Sequence, residues 1–413
     1  MLEGGSAMRV LALNCGSSSL KFGLFEAEPA HDKLRRVLAG SVQRIGDHAT
    51  LTLRTHERTV SEDGHTVADH RAAIQWMADA LGRQRVELRV VDAVGHRVVH
   101  GGTRFRRSVR LDAELLAGIE QLSELAPLHN PACVAGILGA QQVLGPAVPM
   151  VAVFDTALFH DLPPVASTYA ISRDLAARHG IRRYGFHGIA HASLAAGYTA
   201  AAGRSLDGVR LITFHLGNGC SAAALRNGRA VETSMGFTPL EGLVMGTRSG
   251  DLDPALVSYL ARREGVPADT VERWLNERSG LFGLSGLSRD MRELLAAERQ
   301  DARAALAIEL FCYRARKYLG AYLAALGGAD AVVFGGGIGE QAPEIRARIC
   351  EGMDWCGLKL DPARNAGAVG LPPGGAALIS PDEARPAAYV VAADEETQIA
   401  YETVRCLFRT SEE

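Results

Sequence analysis

Short apolar segments separated by polar turns fill the first part of the chain. Such alternation is typical of β-strands joined by hairpins. It predicts a β-meander over 8–60, with strands at 9–14, 20–26, 37–43 and 50–54. After this meander the apolar residues alternate between helical and strand-like spacing. The elements predicted there are a helix over 71–81, a strand over 90–99, helices over 113–125 and 131–144, and a strand over 149–154.

The same order of elements then recurs in the second half. Three apolar strands begin it, and a long helical region and a further strand and helix follow. The predicted bounds are strands at 209–216, 221–226 and 229–233, helices from about 253 to 325, a strand at 331–334, and a helix at 342–352. A last strand at 388–392 leads into a helix at about 395–407, and the Gly- and Pro-rich piece 366–375 is predicted to be a surface loop. Two β-rich starts, each followed by α/β segments, indicate two related halves of one fold type.

Composition narrows the class of protein. The chain has 413 residues, of which 47% are hydrophobic and 22% charged, as in globular proteins of two or three domains. A net charge of −3 argues against a nucleic-acid partner. Seven cysteines without C-x-x-C spacing favour reduced thiols in the cytoplasm. No apolar run approaches the ~20 residues that a membrane span needs, so no membrane partner is expected. Residues 1–7 precede a second Met and are interpreted as a leader or cloning remnant.

Three Gly-rich turns are candidates for binding phosphate. The turn at 14–21 (Asn-Cys-Gly-Ser-Ser-Ser-Leu-Lys) and the turn at 216–221 (Leu-Gly-Asn-Gly-Cys-Ser) each join two strands. Glycine allows close backbone approach, and successive N–H groups can bind an anion. The alternative for each is a plain hairpin turn. A third turn, 334–340 (Phe-Gly-Gly-Gly-Ile-Gly-Glu), follows a strand and opens a helix, as on the adenosine side of a nucleotide site.

Arginine and histidine occur near the end of a predicted strand and in Gly-rich segments. Arg97 lies in His-Arg-Val-Val-His-Gly-Gly at 96–102, and Arg248 lies in the Gly-rich loop 245–251. Arginine suits bidentate binding of carboxylate or phosphate. His187 and His191 are spaced i, i+4, which also fits a metal site. No H-E-x-x-H glutamate accompanies them and Gly188 weakens a helical interpretation, so a structural or anion-contacting role for His187 is favoured.

Carboxylates follow two other predicted strands. Asp155 comes directly after the strand at 149–154, and 394–396 reads Asp-Glu-Glu after the last strand. Magnesium is typically held by one or two carboxylates together with substrate phosphates. Capping of the final helix is the alternative for the Asp-Glu-Glu run. Near the predicted helix at 131–144, Asn130 is expected at the N-cap, which puts His129 beside the positive end of that helix.

Taken together, these motifs resemble the acetokinase family, the acetate kinases of the actin-like ATPase superfold. The resemblance runs from about Met8 to Arg405 and is densest over 232–254. It implies an α/β fold of two related actin-like (ribonuclease-H-like) domains, each a mixed sheet flanked by helices, with an ATP cleft between them. The implied domains are 8–155 plus 388–413, an N-terminal domain closed by the C-terminal helix, and 156–387, which carries the nucleotide-binding loops.

The resemblance also implies an activity. Family members transfer the γ-phosphoryl group of ATP reversibly to acetate, giving acetyl phosphate and ADP, and use Mg²⁺ or Mn²⁺. Direct in-line transfer is expected, in a cytoplasmic homodimer that serves acetyl-CoA biosynthesis. Propionate or butyrate kinase is the near alternative, and an ATP-switched actin-like binding protein is the alternative from a different class.

Roles carried over from the family fall on matching positions of this chain. The implied catalytic residues are Asp155, His187 and Arg248. The implied substrate-binding residues are Arg97, Val99, Leu128, Phe186 and Pro239, and the implied metal residues are Asn14 and Glu395. The implied nucleotide-binding residues are Lys21, His215, Leu216, Gly217, Asn218, Gly219, Asp290, Met291, Arg292, Gly336, Gly337, Ile338, Gly339 and Glu340.

Chemistry modifies one of these roles. The family makes Asp155 the active-site acid, but acetate is already ionised at pH 7 because carboxyl pKa values lie near 4. No general base is required, so Asp155 is expected mainly to orient Mg²⁺ or an arginine. The chain departs from the family pattern at Cys15, Leu158, Phe159, Cys220 and Ala393 and at the pair Ile189-Ala190. These departures replace no residue with an assigned role.

Overall fold

The computed structural model describes residues 7–28, 33–55, 57–86, 88–126 and 129–408, so most of the expected leader lies outside the described residues. The strands in chain order are β1 (Met8–Cys15), β2 (Ser19–Glu28), β3 (Lys33–Gln43), β4 (His48–Thr55), β5 (Thr59–Thr66), β6 (Ala93–Val98), β7 (Val109–Arg110), β8 (Met150–Phe154), β9 (Arg210–Leu216), β10 (Cys220–Arg226), β11 (Arg229–Thr233), β12 (Ala331–Gly335), β13 (Ala376–Leu378) and β14 (Ala387–Val391).

The α-helices vary from one turn to seven. They are α1 (His70–Arg83), α2 (Ala113–Gln121), α3 (Asn130–Leu144), α4 (Pro164–Ser167), α5 (Arg173–His179), α6 (Gly188–Ala202), α7 (Ala255–Glu264), α8 (Ala268–Glu277), α9 (Gly280–Ser285), α10 (Met291–Ala297), α11 (Ala302–Leu326), α12 (Gly336–Gln341), α13 (Pro343–Cys350), α14 (Pro362–Gly367) and α15 (Glu395–Phe408). None of these helices combines the length and apolar character that a membrane span requires, within the part of the chain described.

The chain forms two compact units. The first unit holds the residues up to Ala157 and those from Asp394 onward, and the second unit runs from Leu158 to Ala393. The first unit has an eight-stranded sheet in the order β5-β4-β3-β2-β1-β6-β8-β7. Within it, β1 pairs antiparallel with β2 and parallel with β6, and β6 pairs parallel with β8. The carboxyl ends of β1, β6 and β8 therefore meet at one sheet edge.

Helix α15 covers the middle of the first sheet. Its buried residues Ile399, Ala400 and Thr403 face β1 and β6. A Cβ on Gly95 of β6 would lie 2.1 Å from Thr403 Oγ1 and 2.8 Å from Ile399 Cγ2, so only glycine lets the helix pack this closely. This packing brings the first turn of α15, with its Asp-Glu-Glu run, into the same unit as β1.

The second unit repeats this arrangement with six strands. Its sheet has the order β11-β10-β9-β12-β14-β13, and β9 pairs antiparallel with β10 and parallel with β12. Helix α6 lies on this sheet, where Leu194 and Tyr198 join an apolar cluster with Leu211, Val333 and Val391. The two mixed sheets flanked by helices confirm the predicted α/β class and the two related halves.

Several predicted bounds change. Strand β14, expected in the N-terminal domain, pairs with β12, because its residues extend the parallel part of the second sheet. The unit boundary therefore lies after Ala393 instead of 387. Strands β5, β7 and β13 were not predicted, since β5 is mostly polar and the other two are short. The strand expected over 90–99 begins at Ala93, after a 3₁₀ turn, Leu88–Val90.

The helical predictions change in four places. The prediction that Gly188 disfavours a helix was wrong, because Gly188 is the first residue of α6. At the first position of a helix, a residue without a side chain can adopt the helical backbone. The helical region from about 253 to 325 divides into five helices, α7 to α11. The loop expected over 366–375 begins after α14. The N-cap position of α3 is His129, whose side chain makes no capping hydrogen bond, and Asn130 is the first residue of the helix.

Candidate active site

The carboxyl ends of β1, β6 and β8 carry a hydrogen-bonded group of predicted site residues. We call Asn14, Arg97, Asp155, Glu395 and Glu396 the Arg97 cluster. Arg97 Nε and Nη2 donate to Asp155 Oδ2 at 3.0 and 2.6 Å, and Arg97 Nη1 donates to Asn14 Oδ1 at 3.1 Å. The side chains of Arg97 and Asp155 are 15% and 1% exposed. Parallel pairing of three strands explains why residues so far apart in sequence meet here.

The first turn of α15 completes the Arg97 cluster. Asn14 Nδ2 donates to Glu395 Oε2 at 3.1 Å and to Glu396 Oε1 at 3.3 Å. Asp394 instead caps the helix, accepting from Thr397 N at 3.0 Å, and it forms an ion pair with Arg36. The capping alternative therefore applies to Asp394, whereas Glu395 and Glu396 face Asn14.

Electrostatics in the Arg97 cluster favour a bound cation beside the arginine. Burial alone would lower the pKa of Arg97, but the carboxylates of Asp155 and Glu395 hold it above its ordinary value. Burial raises the pKa of Glu396, Lys21 opposes this, and the charges of Glu395 and Asp394 add to the rise. Like charges on neighbouring carboxylates destabilise one another unless a cation lies between them.

The residues around Asn14 fit a magnesium ion. The carboxylates of Glu395 and Glu396 are hard oxygen donors, the kind that Mg²⁺ prefers. Asn14 turns its Nδ2 toward them and its Oδ1 toward Arg97. Among the described residues, including the Arg97 cluster, no group of three or more His, Cys, Asp or Glu side chains is arranged to hold a metal ion. Magnesium usually takes one or two carboxylates and completes its shell with phosphates and water. The two-carboxylate edge of the Arg97 cluster is of this type.

In the second unit, a glycine turn brings together two predicted catalytic residues. Strands β9 and β10 are joined by the turn at 217–219, with Leu216 opposite Cys220. A Cβ on Gly219 would lie 3.1 Å from His187 Cε1, 3.3 Å from His187 Nε2 and 3.6 Å from Arg248 Nη1. The ring centroids of His187 and His215 are 4.9 Å apart. The absence of a side chain at Gly219 leaves the space between the imidazole and the guanidinium open.

His187 is fixed from behind by a chain of hydrogen bonds. It precedes α6 in a left-handed conformation, with φ of 61°. Its Nδ1 lies 2.9 Å from Ser221 Oγ, and Ser221 Oγ lies 2.8 Å from His191 Nε2. His191 Nδ1 lies 2.7 Å from Thr213 Oγ1. We call these four residues the His187 relay.

The relay replaces the metal site that the i, i+4 histidine pair allowed. Both ring nitrogens of His191 contact hydroxyl oxygens, and burial lowers the pKa of His191 to about 3. Sequence reasoning missed Ser221 and Thr213. The signal was present in strand alternation, because Thr213 and His215 face one side of β9 and Ser221 lies directly opposite His215.

Arg248 lies in a loop held by several local contacts. Its Nη1 donates to Pro239 O at 3.4 Å, which joins a predicted catalytic residue to a predicted substrate-binding one. A Cβ on Gly280 would lie 2.2 Å from Met245 O, so α9 packs directly on this loop. Asp251 closes the loop by accepting from Gly242 N at 2.9 Å. Together these contacts fix the backbone from which Arg248 projects.

The third glycine turn packs beside the 217–219 turn. Gly336 has φ of 76°, and a Cβ there would lie 2.7 Å from Leu216 O. Glu340 Oε1 accepts from Gly336 N at 2.9 Å, which closes the first turn of α12. The fully buried Arg346 donates to the carbonyl oxygens of Gly339 and Glu340, both at 2.9 Å. The structure thus brings 336–340 together with the 215–219 segment, as the nucleotide prediction requires.

The remaining predicted site residues are divided between the two units. Asp290 caps α10 and pairs with Arg292 at 2.6 Å, with the Arg292 side chain 88% exposed and Met291 buried. Lys21, predicted to bind nucleotide, lies in β2 of the first unit opposite Asn14. Val99 is buried in the first unit, and Phe186 is buried in the second. Leu128 lies outside the described residues.

Comparison with known proteins agrees with this geometry. The sequence profile described as the acetokinase family matches residues 9–401. An acetate kinase of Solibacter usitatus is 50% identical over 411 residues, covering 97% of this chain and 98% of its own. The crystal structure of Porphyromonas gingivalis acetate kinase has a TM-score of 0.86 at 39% identity, covering 97% of this chain and 100% of its own. A propionate kinase from Francisella tularensis also has a TM-score of 0.86, at 36% identity, covering 96% and 99%. The chain therefore belongs to the acetokinase family.

Proposed function

We propose that this chain is an acetate kinase, which transfers the γ-phosphoryl group of ATP reversibly to acetate and yields acetyl phosphate and ADP. The observation that carries the proposal is the Arg97 cluster, whose members come from β1, β6, the end of β8 and α15. A buried arginine beside hard oxygen donors suits a reaction in which a carboxylate meets a metal-bound phosphate. Membership in the acetokinase family supports the same activity.

The first unit is proposed to bind and orient acetate. An ionised carboxylate needs no base, so the main barrier is repulsion between two anions. Arg97 offers the guanidinium that neutralises this repulsion, and Asp155 fixes the guanidinium plane by accepting from Nε and Nη2. Asp155 is therefore proposed to act through Arg97 and not as a proton acceptor.

Glu395 and Asn14 are the residues proposed to hold Mg²⁺, with Glu396 beside them. A bound magnesium ion supplies charge neutralisation for the β- and γ-phosphates. Asn14 connects this edge to the arginine, because its amide donates to Glu395 while its oxygen accepts from Arg97. A change at Asn14 is therefore expected to disturb both metal and acetate binding.

The second unit is proposed to bind ATP and stabilise the transition state. The adjacent turns at 217–219 and 336–340 contain glycines, so the phosphates and ribose of ATP can approach their backbone N–H groups closely. His187 and Arg248, which both approach Gly219, provide the donors for the phosphoryl group in the transition state. Direct in-line transfer needs no covalent intermediate on the protein.

The choice of acyl chain is proposed to follow pocket size. Val99, Leu128, Phe186 and Pro239 are the proposed apolar contacts of the acetate methyl group. One additional methylene changes binding by only ~1–3 kcal/mol. Propionate is therefore expected to be a weaker but real substrate, and the likeness to a propionate kinase makes this the second candidate. A cytoplasmic homodimer stays a prediction.

Trapping of the acyl phosphate tests the proposed function. The full chain is incubated with ATP, Mg²⁺ and hydroxylamine, and with acetate, propionate or butyrate, and hydroxamate is measured. We expect most hydroxamate with acetate and none without ATP. ATP hydrolysis without hydroxamate would contradict the proposal and support an ATP-switched binding protein. A larger kcat/KM with propionate than with acetate would make propionate the preferred substrate.

A further inference from the structure

We propose that Ser221 is a positioning residue for His187, and that its hydroxyl, held by His191 and Thr213, keeps the proton of His187 on Nδ1 and directs Nε2 toward Gly219. The proposal rests on the proposed function only where it gives His187 a role in phosphoryl transfer. The positioning itself is a property of the hairpin and of α6. It gives a role to Ser221, His191 and Thr213, which the family motifs leave without one.

Geometry places the Ser221 hydroxyl between two imidazoles. Its oxygen lies 2.9 Å from His187 Nδ1 and 2.8 Å from His191 Nε2, and Ser221 is completely buried. A hydroxyl has one proton to donate and lone pairs to accept. Two ring nitrogens at hydrogen-bond distance therefore cannot both accept from it, and at least one must carry an N–H.

The far end of the relay decides which nitrogen carries the proton. His191 is uncharged near neutral pH because burial lowers its pKa to about 3, so it has one N–H. In the proposed arrangement the Thr213 hydroxyl donates to its backbone acceptor, Ala223 O at 3.5 Å, and its oxygen accepts from His191 Nδ1–H at 2.7 Å. His191 Nε2 then accepts from the Ser221 hydroxyl. The lone pairs of Ser221 are left to accept from His187 Nδ1–H.

This arrangement has a consequence for the opposite side of His187. With Nδ1–H committed to Ser221, Nε2 is the atom that gains or loses a proton. Nε2 is also the ring nitrogen near Gly219, at 3.3 Å from the position of a Cβ there. A protonated Nε2 can donate to an anion, and the imidazolium is stabilised because its second N–H is already accepted.

Other charged and titratable groups face His187 from the surrounding elements. His215 on β9 lies with its ring centroid 4.9 Å from that of His187. Arg248 reaches Gly219 from the 245–251 loop, and His191 on α6 acts through Ser221. The guanidinium of Arg248 opposes protonation of His187, whereas an anion bound beside Gly219 favours it. The pH dependence of catalysis therefore reports on His187 only through comparison of variants.

Ring-nitrogen NMR on the full chain tests the proposal directly. The protein is labelled with ¹⁵N-histidine, and the His187 signals are assigned by their loss in His187→Asn. We expect Nδ1–H in the wild type and a mixture of tautomers in Ser221→Ala. Ser234→Ala is the matched control, because Ser234 is also fully buried and its hydroxyl accepts from Ala222 N of the same hairpin, at 2.9 Å.

Kinetics supply a second measurement. Loss of a hydrogen bond to an imidazolium predicts that Ser221→Ala lowers kcat by about 10- to 100-fold. The KM values for ATP and acetate should change by less than about threefold, because Ser221 faces the back of His187, away from Gly219. The pH–kcat profile should shift in Ser221→Ala and stay unchanged in Ser234→Ala. Thr213→Val, which is close in volume, should convert the His191 tautomer and lower kcat to a smaller extent.

The outcomes separate the possible failures. Wild-type tautomer and kcat in Ser221→Ala would overturn the proposal, and so would equal losses in Ser221→Ala and Ser234→Ala. If Ser221→Ala does not fold, the histidine ¹⁵N spectrum of Thr213→Val tests the proposal in its place. A wild type that shows the expected tautomer but forms no acyl phosphate would leave the positioning intact and contradict the proposed function.

Discussion

The Arg97 cluster and the His187 relay hold their key side chains by different physical means. In the Arg97 cluster, a charged guanidinium faces charged carboxylates, and it donates two hydrogen bonds to one carboxylate oxygen. In the His187 relay, uncharged hydroxyls and an uncharged imidazole form a directed chain. Removing a partner from a buried ion pair leaves an uncompensated charge, whereas removing a hydroxyl leaves one unmet hydrogen bond. Removing a charged side chain from the Arg97 cluster should therefore lower the free energy of unfolding more than removing a hydroxyl from the His187 relay.

The largest effect is expected for Arg97→Ala. This change removes the group proposed to bind acetate and takes the arginine ion pair from the buried Asp155. We expect kcat/KM for acetate to fall by about 10³-fold, and the free energy of unfolding to fall by about 3–5 kcal/mol. Hydroxamate kinetics and urea denaturation measure the two effects.

Arg83→Ala is the control for that change. Arg83 also donates twice to a carboxylate in the first unit, Glu62, but its side chain is 49% exposed. Exposed ion pairs contribute about 0–1 kcal/mol. If Arg83→Ala and Arg97→Ala destabilise the protein equally, burial does not make the ion pair of the Arg97 cluster more stabilising than an exposed one.

Asp155→Asn tests whether the carboxylate orients Arg97 or accepts a proton. The amide keeps an accepting oxygen but loses the charge that holds the guanidinium. We expect kcat/KM for acetate to fall by about 10- to 100-fold, with the shape of the pH–rate profile unchanged. Loss of a base-dependent limb of that profile would instead make Asp155 a proton acceptor.

The sequence predicted most of the Arg97 cluster, but of the His187 relay it singled out only the two histidines. Asn14, Arg97 and Asp155 each follow or end a predicted strand, so parallel pairing brings them to one edge without further information. Ser221 and Thr213 are uncharged residues within a strand, and their function depends on α6 lying against that face. Glycine at 188 argued locally against α6, whereas the apolar packing of Leu194 and Tyr198 on the sheet decided for it. Tertiary contacts of this kind override local propensity.

The boundary between the units shows the same limit. An apolar strand at 388–392 is compatible with either sheet, since both have parallel strands at their centres. Pairing of β14 with β12 decides for the second sheet, and the chain enters the first unit only at Asp394. Sequence alone gave the strand and the following helix, but strand partners depend on contacts distant along the chain.

A smaller effect is expected for the acid sensitivity of the relay. Burial lowers the pKa of His191 from its ordinary 6.5 to about 3, so the unfolded chain binds more protons between these values. Stability from this residue is complete above pH 6.5 and is lost as the pH falls toward 3. At pH 5 the loss amounts to about 2 kcal/mol. Unfolding free energies of His191→Gln should fall less steeply between pH 6.5 and 5 than those of wild type, whereas the exposed His179→Gln should match wild type.

The smallest effect is expected at Asp290, where the nucleotide-binding role and helix capping predict different results. Asp290 caps α10 by accepting from Arg292 N at 2.9 Å, and it pairs with the exposed Arg292 side chain. Loss of a cap costs about 1 kcal/mol, so Asp290→Ala should lower stability by that amount while Asp290→Ser retains most of it. If capping is its whole role, the KM for ATP stays within about threefold in both variants. A rise in KM for ATP that Asp290→Ser does not correct would instead place the carboxylate on the nucleotide.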